Sequence, residues 1–151
     1  MRHFSTVRSR SVFALLPLML LVAFLAFPTA AEAQVTSYPY LESFESGSGV
    51  WTTGGGTYSM WTRDSGGTSS SNTGPSTGHN STWYYYIETS SSSTGRYDYL
   101  TANFNFSTLS NPVFSFYYHM YGSAIGSLHV EVSSNSGASW TDVWSKSGPQ
   151  H

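Results

Sequence analysis

Phe116-Tyr117-Tyr118-His119-Met120-Tyr121-Gly122 and Gly126-Ser127-Leu128-His129-Val130-Glu131-Val132 are the two stretches that decide the fold of this chain. Aromatic and β-branched residues, which favour strands, dominate both stretches. Glycines bracket the short connection from Gly122 to Gly126. Two strand-like arms joined by a short glycine-bounded connection predict a β-hairpin.

Side chains alternate between the two faces of a strand, so the hairpin would have two different faces. With the turn centred on Ala124, Met120 would face Leu128, and the residues at alternate positions would continue an apolar face. The opposite face would place His119 against His129, with Tyr117 and Glu131 as the next pair. A register slip of two residues would preserve this separation, so the pattern predicts the faces more firmly than the pairing.

The rest of the chain also reads as short strands separated by turns. Extended runs rich in aromatic and β-branched residues alternate with stretches rich in Gly, Ser, Thr and Asn. This spacing predicts an all-β protein, an antiparallel β-sandwich. The predicted strands cover residues 38–44, 58–63, 83–89, 97–106, 113–121, 127–133 and 139–144.

The hairpin sequence resembles the centre of a MAM domain, the extracellular module shared by meprins, neuropilins and receptor phosphatases of the mu type. Further elements of that family occur in the same order: Phe44-Glu45, Trp51, Trp61-Thr62-Arg63, Asn72-Thr73-Gly74-Pro75, Gly78-His79, Tyr85-Tyr86-Ile87-Glu88, and Gly137 with Trp140 and Val143-Trp144. The resemblance implies a jelly roll of two packed sheets, similar to concanavalin A and the legume lectins.

The first 33 residues have the pattern of a secretory signal peptide. A basic head precedes an apolar run from Val12 to Phe27, and Ala31-Glu32-Ala33 forms a small-x-small cleavage site. We therefore expect a signal peptide at 1–33 and a secreted, extracellular MAM-like domain at 34–151, with no membrane span after cleavage. Nothing in Ser145–His151 matches the closing strands of the family, so the C-terminal strands of the domain are expected to be missing.

Charge and cysteine content exclude several functions for residues 34–151. Three basic residues stand against seven acidic ones, hence a net charge of −4 with neutral histidines. Binding of nucleic acid or of anionic lipid needs clustered cations, so neither is expected as a partner. The chain has no cysteine, which excludes thiol catalysis and cysteine-ligated zinc. It also departs from the disulfide-bonded animal members of the family.

The sequence predicts no catalytic residues. The motifs H-E-x-x-H and G-x-x-x-x-G-K are absent. The paired carboxylates of glycosidases are missing, because the candidate acids stand on different predicted strands: Glu88, Asp98, Glu131 and Asp142. His119 and Glu131 could meet across the hairpin, but no nucleophile accompanies them.

Two weak candidates for metal sites remain. The family often binds a structural calcium ion, and Glu45 matches its first glutamate. Met60 and Gly78 stand where the resemblance implies carboxylates, and Asp64 is the nearest replacement ligand, so calcium is a minor expectation and no other cofactor is expected. Alternatively, Glu45 caps a strand end. His119 facing His129 could bind zinc or copper, although surface histidines are commoner than ligands.

Exposed aromatic residues are the best candidates for a binding surface, because they can stack on sugars or anchor a protein partner. The tryptophans are expected in the core, whereas the binding surface is assigned to Tyr84, Tyr86, Tyr117, His119, Tyr121 and His129. We interpret the chain as a non-catalytic adhesion or recognition module of a larger secreted protein, binding protein or glycan at a cell surface. The alternatives are a carbohydrate-binding module and a fragment of a secreted metallopeptidase whose catalytic domain lies outside this chain.

Overall fold

The computed structural model describes residues 33–58, 60–90 and 95–150. The predicted signal peptide therefore lies, except for Ala33, outside the described residues. No helix that could span a membrane occurs in the described ranges. These ranges form eight strands: β1 Gln34–Val35, β2 Thr52–Gly54, β3 Thr62–Ser65, β4 Trp83–Tyr86, β5 Tyr99–Thr101, β6 Asn103–Phe104, β7 Ser127–Val132 and β8 Thr141–Ser147.

The strands pair as four two-stranded ladders. β2 pairs with β5, β3 with β4 and β7 with β8, all antiparallel, whereas β1 and β6 are parallel. The predicted strands around residues 58–63, 83–89, 97–106, 127–133 and 139–144 thus contain or adjoin observed ones. The run 38–44 is not a strand, and β1 and β2 were not predicted.

The predicted hairpin is wrong in its pairing. β7 forms, but its partner is β8, with Leu128 opposite Lys146 and Val130 opposite Trp144. Residues 111–119 belong to no strand, and Met120 instead forms an antiparallel bridge with Gln150. The physical reason is that β8 offers β7 the same alternation of side chains as the predicted arm, so the pattern does not distinguish the two partners.

The pairings drawn from that hairpin are therefore not formed. His119 does not face His129, which removes the geometry for a two-histidine metal site. Tyr117 does not face Glu131, because β8 supplies the residues opposite β7.

The segment 113–121 still keeps two distinct sides. Phe114, Phe116 and Tyr118 form a row whose successive ring centroids are 5.4 and 5.8 Å apart. The rings of Phe116 and Tyr118 pack edge-on against Trp144 of β8, at 5.2 and 5.1 Å. This aromatic row lies against the apolar side of the β7–β8 ladder, as edge-to-face packing of rings favours.

The fully buried core of the described residues is small. Val35 and Met120 are the hydrophobic residues buried there. Trp51, Trp61 and Trp144 are half-buried, whereas Trp140 is 50% exposed. The expectation of a tryptophan core is therefore wrong for Trp140.

Asp98, just before β5, binds the backbone at the start of β3. Its Oδ2 accepts hydrogen bonds from the backbone N–H groups of Met60 (2.6 Å) and Trp61 (3.1 Å). The indole N–H of Trp61 also donates to the carbonyl oxygen of Asp98 at 3.2 Å. Partial burial raises the pKa of the Asp98 carboxyl, but the backbone donors of Met60, Trp61, Tyr99 and Gly56 outweigh it and lower that pKa.

Candidate functional site

The exposed side of segment 113–121 carries paired aromatic rings. Tyr117 stacks on His79 with ring centroids 3.4 Å apart and planes 9° from parallel. His119 stacks on Tyr121 with ring centroids 6.2 Å apart, and these ring planes are also 9° from parallel. Tyr117 is 74% exposed and Tyr121 is 45% exposed. We call these four residues (His79, Tyr117, His119 and Tyr121) the aromatic surface.

Chain alternation produces the aromatic surface. Phe114, Phe116 and Tyr118 are the even-numbered residues whose rings follow one another, whereas Tyr117, His119 and Tyr121 are the odd-numbered ones. Alternate residues of an extended segment project to opposite sides. Phe116 and Tyr118 pack on Trp144, and Phe114 packs on Trp51. These three side chains are 38–52% exposed, whereas Tyr117 on the other side is 74% exposed.

A shallow depression adjoins the aromatic surface. Its volume is about 370 Å³, and its lining residues are Tyr121, Gly122, Ser123 and Pro149. The backbone bridge between Met120 and Gln150 (N···O 2.7 and 2.6 Å) holds the two sides of this region together. Tyr121 therefore contributes both to the ring stack and to the wall of a concave feature.

Tyr84 and Tyr86, the other two tyrosines assigned to the binding surface, lie apart from it on β4. Both are half-buried, with ring centroids 6.1 Å apart. The Tyr84 hydroxyl donates to the carbonyl oxygen of Gly66 at 2.5 Å and lies 3.3 Å from that of Pro75. Burial, then the nearby Asp64 and Tyr86, raises the Tyr84 pKa. Tyr84 thus anchors the loop at 66–78.

Glu88 fixes the same loop from the other end of β4. Its carboxylate accepts hydrogen bonds from the hydroxyls of Ser69 (2.8 Å), Ser70 (2.9 Å) and Ser90 (2.6 Å). The hydrogen bonds from Ser90 and Ser69 have the largest effects on the Glu88 pKa, and together with the bond from Ser70 they lower it. Partial burial acts in the opposite direction but is outweighed. The long loop is therefore tied to β4 by polar contacts, which sequence reasoning did not foresee.

Glu45 and Asp64, the two candidate calcium ligands, both bind backbone groups. Glu45 Oε1 accepts hydrogen bonds from the N–H groups of Thr82 (2.6 Å) and Trp83 (2.9 Å), so it caps the start of β4. Asp64 Oδ1 accepts from the N–H of Ser65 at 2.7 Å. No group of three or more His, Cys, Asp or Glu side chains that could hold a metal occurs in the described parts of the chain. Weak or absent calcium binding at Glu45 and Asp64 stays a prediction for experiment.

His129 lies on the polar side of the β7–β8 ladder, away from the aromatic row. Its Nδ1 is 2.5 Å from Asp142 Oδ2, and its Nε2 is 2.8 Å from Ser127 Oγ. Sequence reasoning missed this group because it assigned β7 the wrong partner. The sequence does predict that Ser127 and His129 share a face, because they are alternate residues of one strand. The position of Asp142 depends on a register shift between β7 and β8, which the sequence pattern does not predict.

The antiparallel ladders and the exposed aromatic side chains define an all-β module whose surface suits recognition. The family model described as MAM domain, meprin/A5/mu, matches residues 43–151, and the chain belongs to the MAM family. Its fold is accordingly the jelly-roll β-sandwich, as the sequence predicted. No solved structure was found to match this chain.

Family membership establishes the general type of function. MAM domains are non-catalytic modules of extracellular or cell-surface proteins, and they mediate protein interactions. The resemblance read from the motifs is thereby confirmed, and this member of the family contains no cysteine.

Proposed function

We propose that this chain is a non-catalytic recognition module of a larger secreted protein and that it binds a protein at a cell surface through the aromatic surface. The observation that carries the proposal is the pair of parallel ring stacks, His79 on Tyr117 and His119 on Tyr121, on the exposed side of one segment. Stacking restricts ring motion before a partner arrives, which lowers the entropic cost of binding.

The charge of this region supports a partner bound by packing rather than by ion pairs. Residues 113–126 contain no Lys, Arg, Asp or Glu. Protein interfaces are enriched in aromatic residues and depleted of charge at their centres. Tyrosine anchors at such positions commonly dominate the binding free energy.

A glycan is the second candidate partner. The nearly parallel rings offer flat faces to a sugar, and Tyr121 also lines the shallow depression beside Pro149. Sugar rings present apolar faces that stack on aromatic side chains, while their hydroxyls need polar neighbours such as Ser123.

A cell-binding assay tests the proposal. Beads coated with the chain are applied to cells that received no treatment, protease or glycosidases. We expect protease treatment of the cells to abolish binding and glycosidase treatment to leave binding unchanged. Loss of binding after glycosidases but not after protease would identify a glycan as the partner. Tyr117→Ala and Tyr121→Ala should each weaken binding at least tenfold, since tyrosine anchors contribute about 2 kcal/mol or more.

Tyr58→Ala is the matched control. Tyr58 is similarly exposed at 53%, but its ring lies under the Arg96 guanidinium, 4.1 Å from the ring centroid, and outside the aromatic surface. Equal binding by the control and by both aromatic-surface variants would contradict the proposal.

A further inference from the structure

Three hydrogen-bonded side chains form a relay on the polar side of the β7–β8 ladder. Ser127 Oγ lies 2.8 Å from Nε2 of His129, and Nδ1 of the same imidazole lies 2.5 Å from Asp142 Oδ2. The side chains of His129 and Asp142 are 46% and 42% exposed. A hydroxyl, an imidazole and a carboxylate are thus in contact, in this order, where reagents can reach them.

The strand geometry explains how the three groups meet. Ser127 and His129 are two residues apart in β7, so their side chains share one face. On β8 the register shifts: Val130 faces Trp144, but Glu131 faces Asp142, leaving Val143 as an extra residue. Without this β-bulge, Asp142 would lie opposite Val132 and its side chain would point to the apolar side. The bulge redirects the carboxylate toward His129.

The contacts assign a role to each group. With the imidazole proton on Nδ1, Asp142 accepts a hydrogen bond from that N–H, and Nε2 accepts one from the Ser127 hydroxyl. A base in contact with a hydroxyl and oriented by a third group is the arrangement that activates serine. We propose that Ser127 is an activated nucleophile that accepts acyl or phosphonyl groups from activated electrophiles reaching this face, an activity distinct from the proposed recognition function.

The transfer step balances without a cofactor. Oγ of Ser127 forms a bond to the electrophilic carbon or phosphorus as its proton moves to Nε2 of His129. The bond to the leaving group then breaks, and His129 returns the proton to that group. The products are the esterified serine and the protonated leaving group, an alcohol from an ester or hydrogen fluoride from a fluorophosphonate.

The surroundings indicate modification rather than rapid turnover. Ser147 lies opposite Ser127 across the ladder, so its hydroxyl is a candidate donor to a developing oxyanion. Transition-state hydrogen bonds are most effective where water is excluded, and this face is open to solvent. The expected reaction is therefore a single slow esterification of Ser127.

Labelling the full chain with an alkyl fluorophosphonate tests the proposal within one molecule. Peptide mass spectrometry gives the modification rate of Ser127 and of Ser145, which lies opposite His129 on the same polar face. General-base assistance typically contributes about 10²- to 10⁴-fold, and exposure reduces it. We expect Ser127 to react at least tenfold faster than Ser145. Equal rates at the two serines overturn the proposal.

Variants test the role of the imidazole. His129→Ala should slow the labelling of Ser127 at least tenfold, and Asp142→Asn should slow it less, because the imidazole remains but loses its orientation. Lys146→Gln, on the opposite face of the same ladder, is the matched control and should leave the rate unchanged. An unchanged rate in His129→Ala overturns the proposal. If a variant loses its β-rich circular dichroism spectrum, the comparison of Ser127 with Ser145 in the unaltered chain decides.

Discussion

Replacing Asp98 with alanine should destabilise the domain by about 3 kcal/mol. The carboxylate Oδ2 accepts two backbone hydrogen bonds, from Met60 at 2.6 Å and Trp61 at 3.1 Å. These donors precede Asp98 in the chain by 38 and 37 residues, so the carboxylate connects two distant segments. Hydrogen bonds to a charged group contribute about 1.5–3 kcal/mol each, and partial exposure favours the lower end of that range. Such a loss is a large part of a total stability of about 5–15 kcal/mol.

Urea and thermal unfolding, followed by tryptophan fluorescence, measure the effect. For a domain of this size, 3 kcal/mol corresponds to a decrease in Tm of roughly 10 °C. Asp98→Asn is the matched control, because its amide oxygen can still accept both N–H groups without the charge, and it should lose less than the alanine variant. A loss below about 0.5 kcal/mol in Asp98→Ala would refute the reasoning, since surface changes without such contacts stay in that range.

The pH dependence gives an independent check. The folded-state pKa of Asp98 lies below its ordinary value, so the unfolded chain takes up this proton first as the pH falls. The stabilisation is therefore complete above the ordinary pKa, about 4, and is lost as the pH falls through the lowered folded-state value. The difference in the free energy of unfolding between the unaltered chain and Asp98→Ala should become smaller over that acid range. A constant difference would show that the carboxylate charge plays no part.

Three further predictions concern a loop, a metal and the N-terminus. Glu88→Gln should increase amide hydrogen exchange in the loop at 66–78 at neutral pH, where Glu88 is ionised. The difference in exchange should vanish in acid, because protonation of Glu88 weakens the same serine hydrogen bonds in the unaltered chain. Glu131→Gln serves as the control, and equal exchange in Glu88→Gln and the unaltered chain at neutral pH would contradict the assignment. Millimolar calcium should change the Tm little relative to chelator, because Glu45 Oε1 is already engaged by two backbone donors; a large rise abolished by Glu45→Gln would show a real site. Intact-mass analysis of secreted protein should give a chain that starts at Gln34, and a product that retains the apolar run would reject cleavage after Ala33.

The sequence predicted which side chains share a face better than which strands are neighbours. Alternation placed Phe116 and Tyr118 on an apolar side and Tyr117 and His119 on the other, and the ring contacts keep that division. The pairing of this segment with β7 was wrong, because alternation is a local property of each strand. Neighbours are chosen by side-chain packing between elements, here by Trp144 of β8.

The sequence also predicted part of the candidate binding site. Tyr117, His119 and Tyr121 were assigned to a binding surface, and they are exposed together with His79, a residue distant in sequence. Tyr84 was also assigned, but its hydroxyl is held by the loop that covers it. A tyrosine's exposure depends on the position of such a loop, and the strand pattern carries no information about that position.

One extra residue in β8 separates two features of the β7–β8 ladder, the packing of the aromatic row and the relay of Ser127, His129 and Asp142. Trp144 faces Val130 on the apolar side, where it packs against the aromatic row that leaves Tyr117 and Tyr121 exposed. One step along β8, the bulged Val143 reverses the alternation and brings Asp142 to the polar side. A regular ladder would keep the aromatic packing but turn the carboxylate away from His129. The aromatic surface therefore depends on the alternation of the chain, and the Ser127–His129–Asp142 relay depends on the single place where that alternation is interrupted.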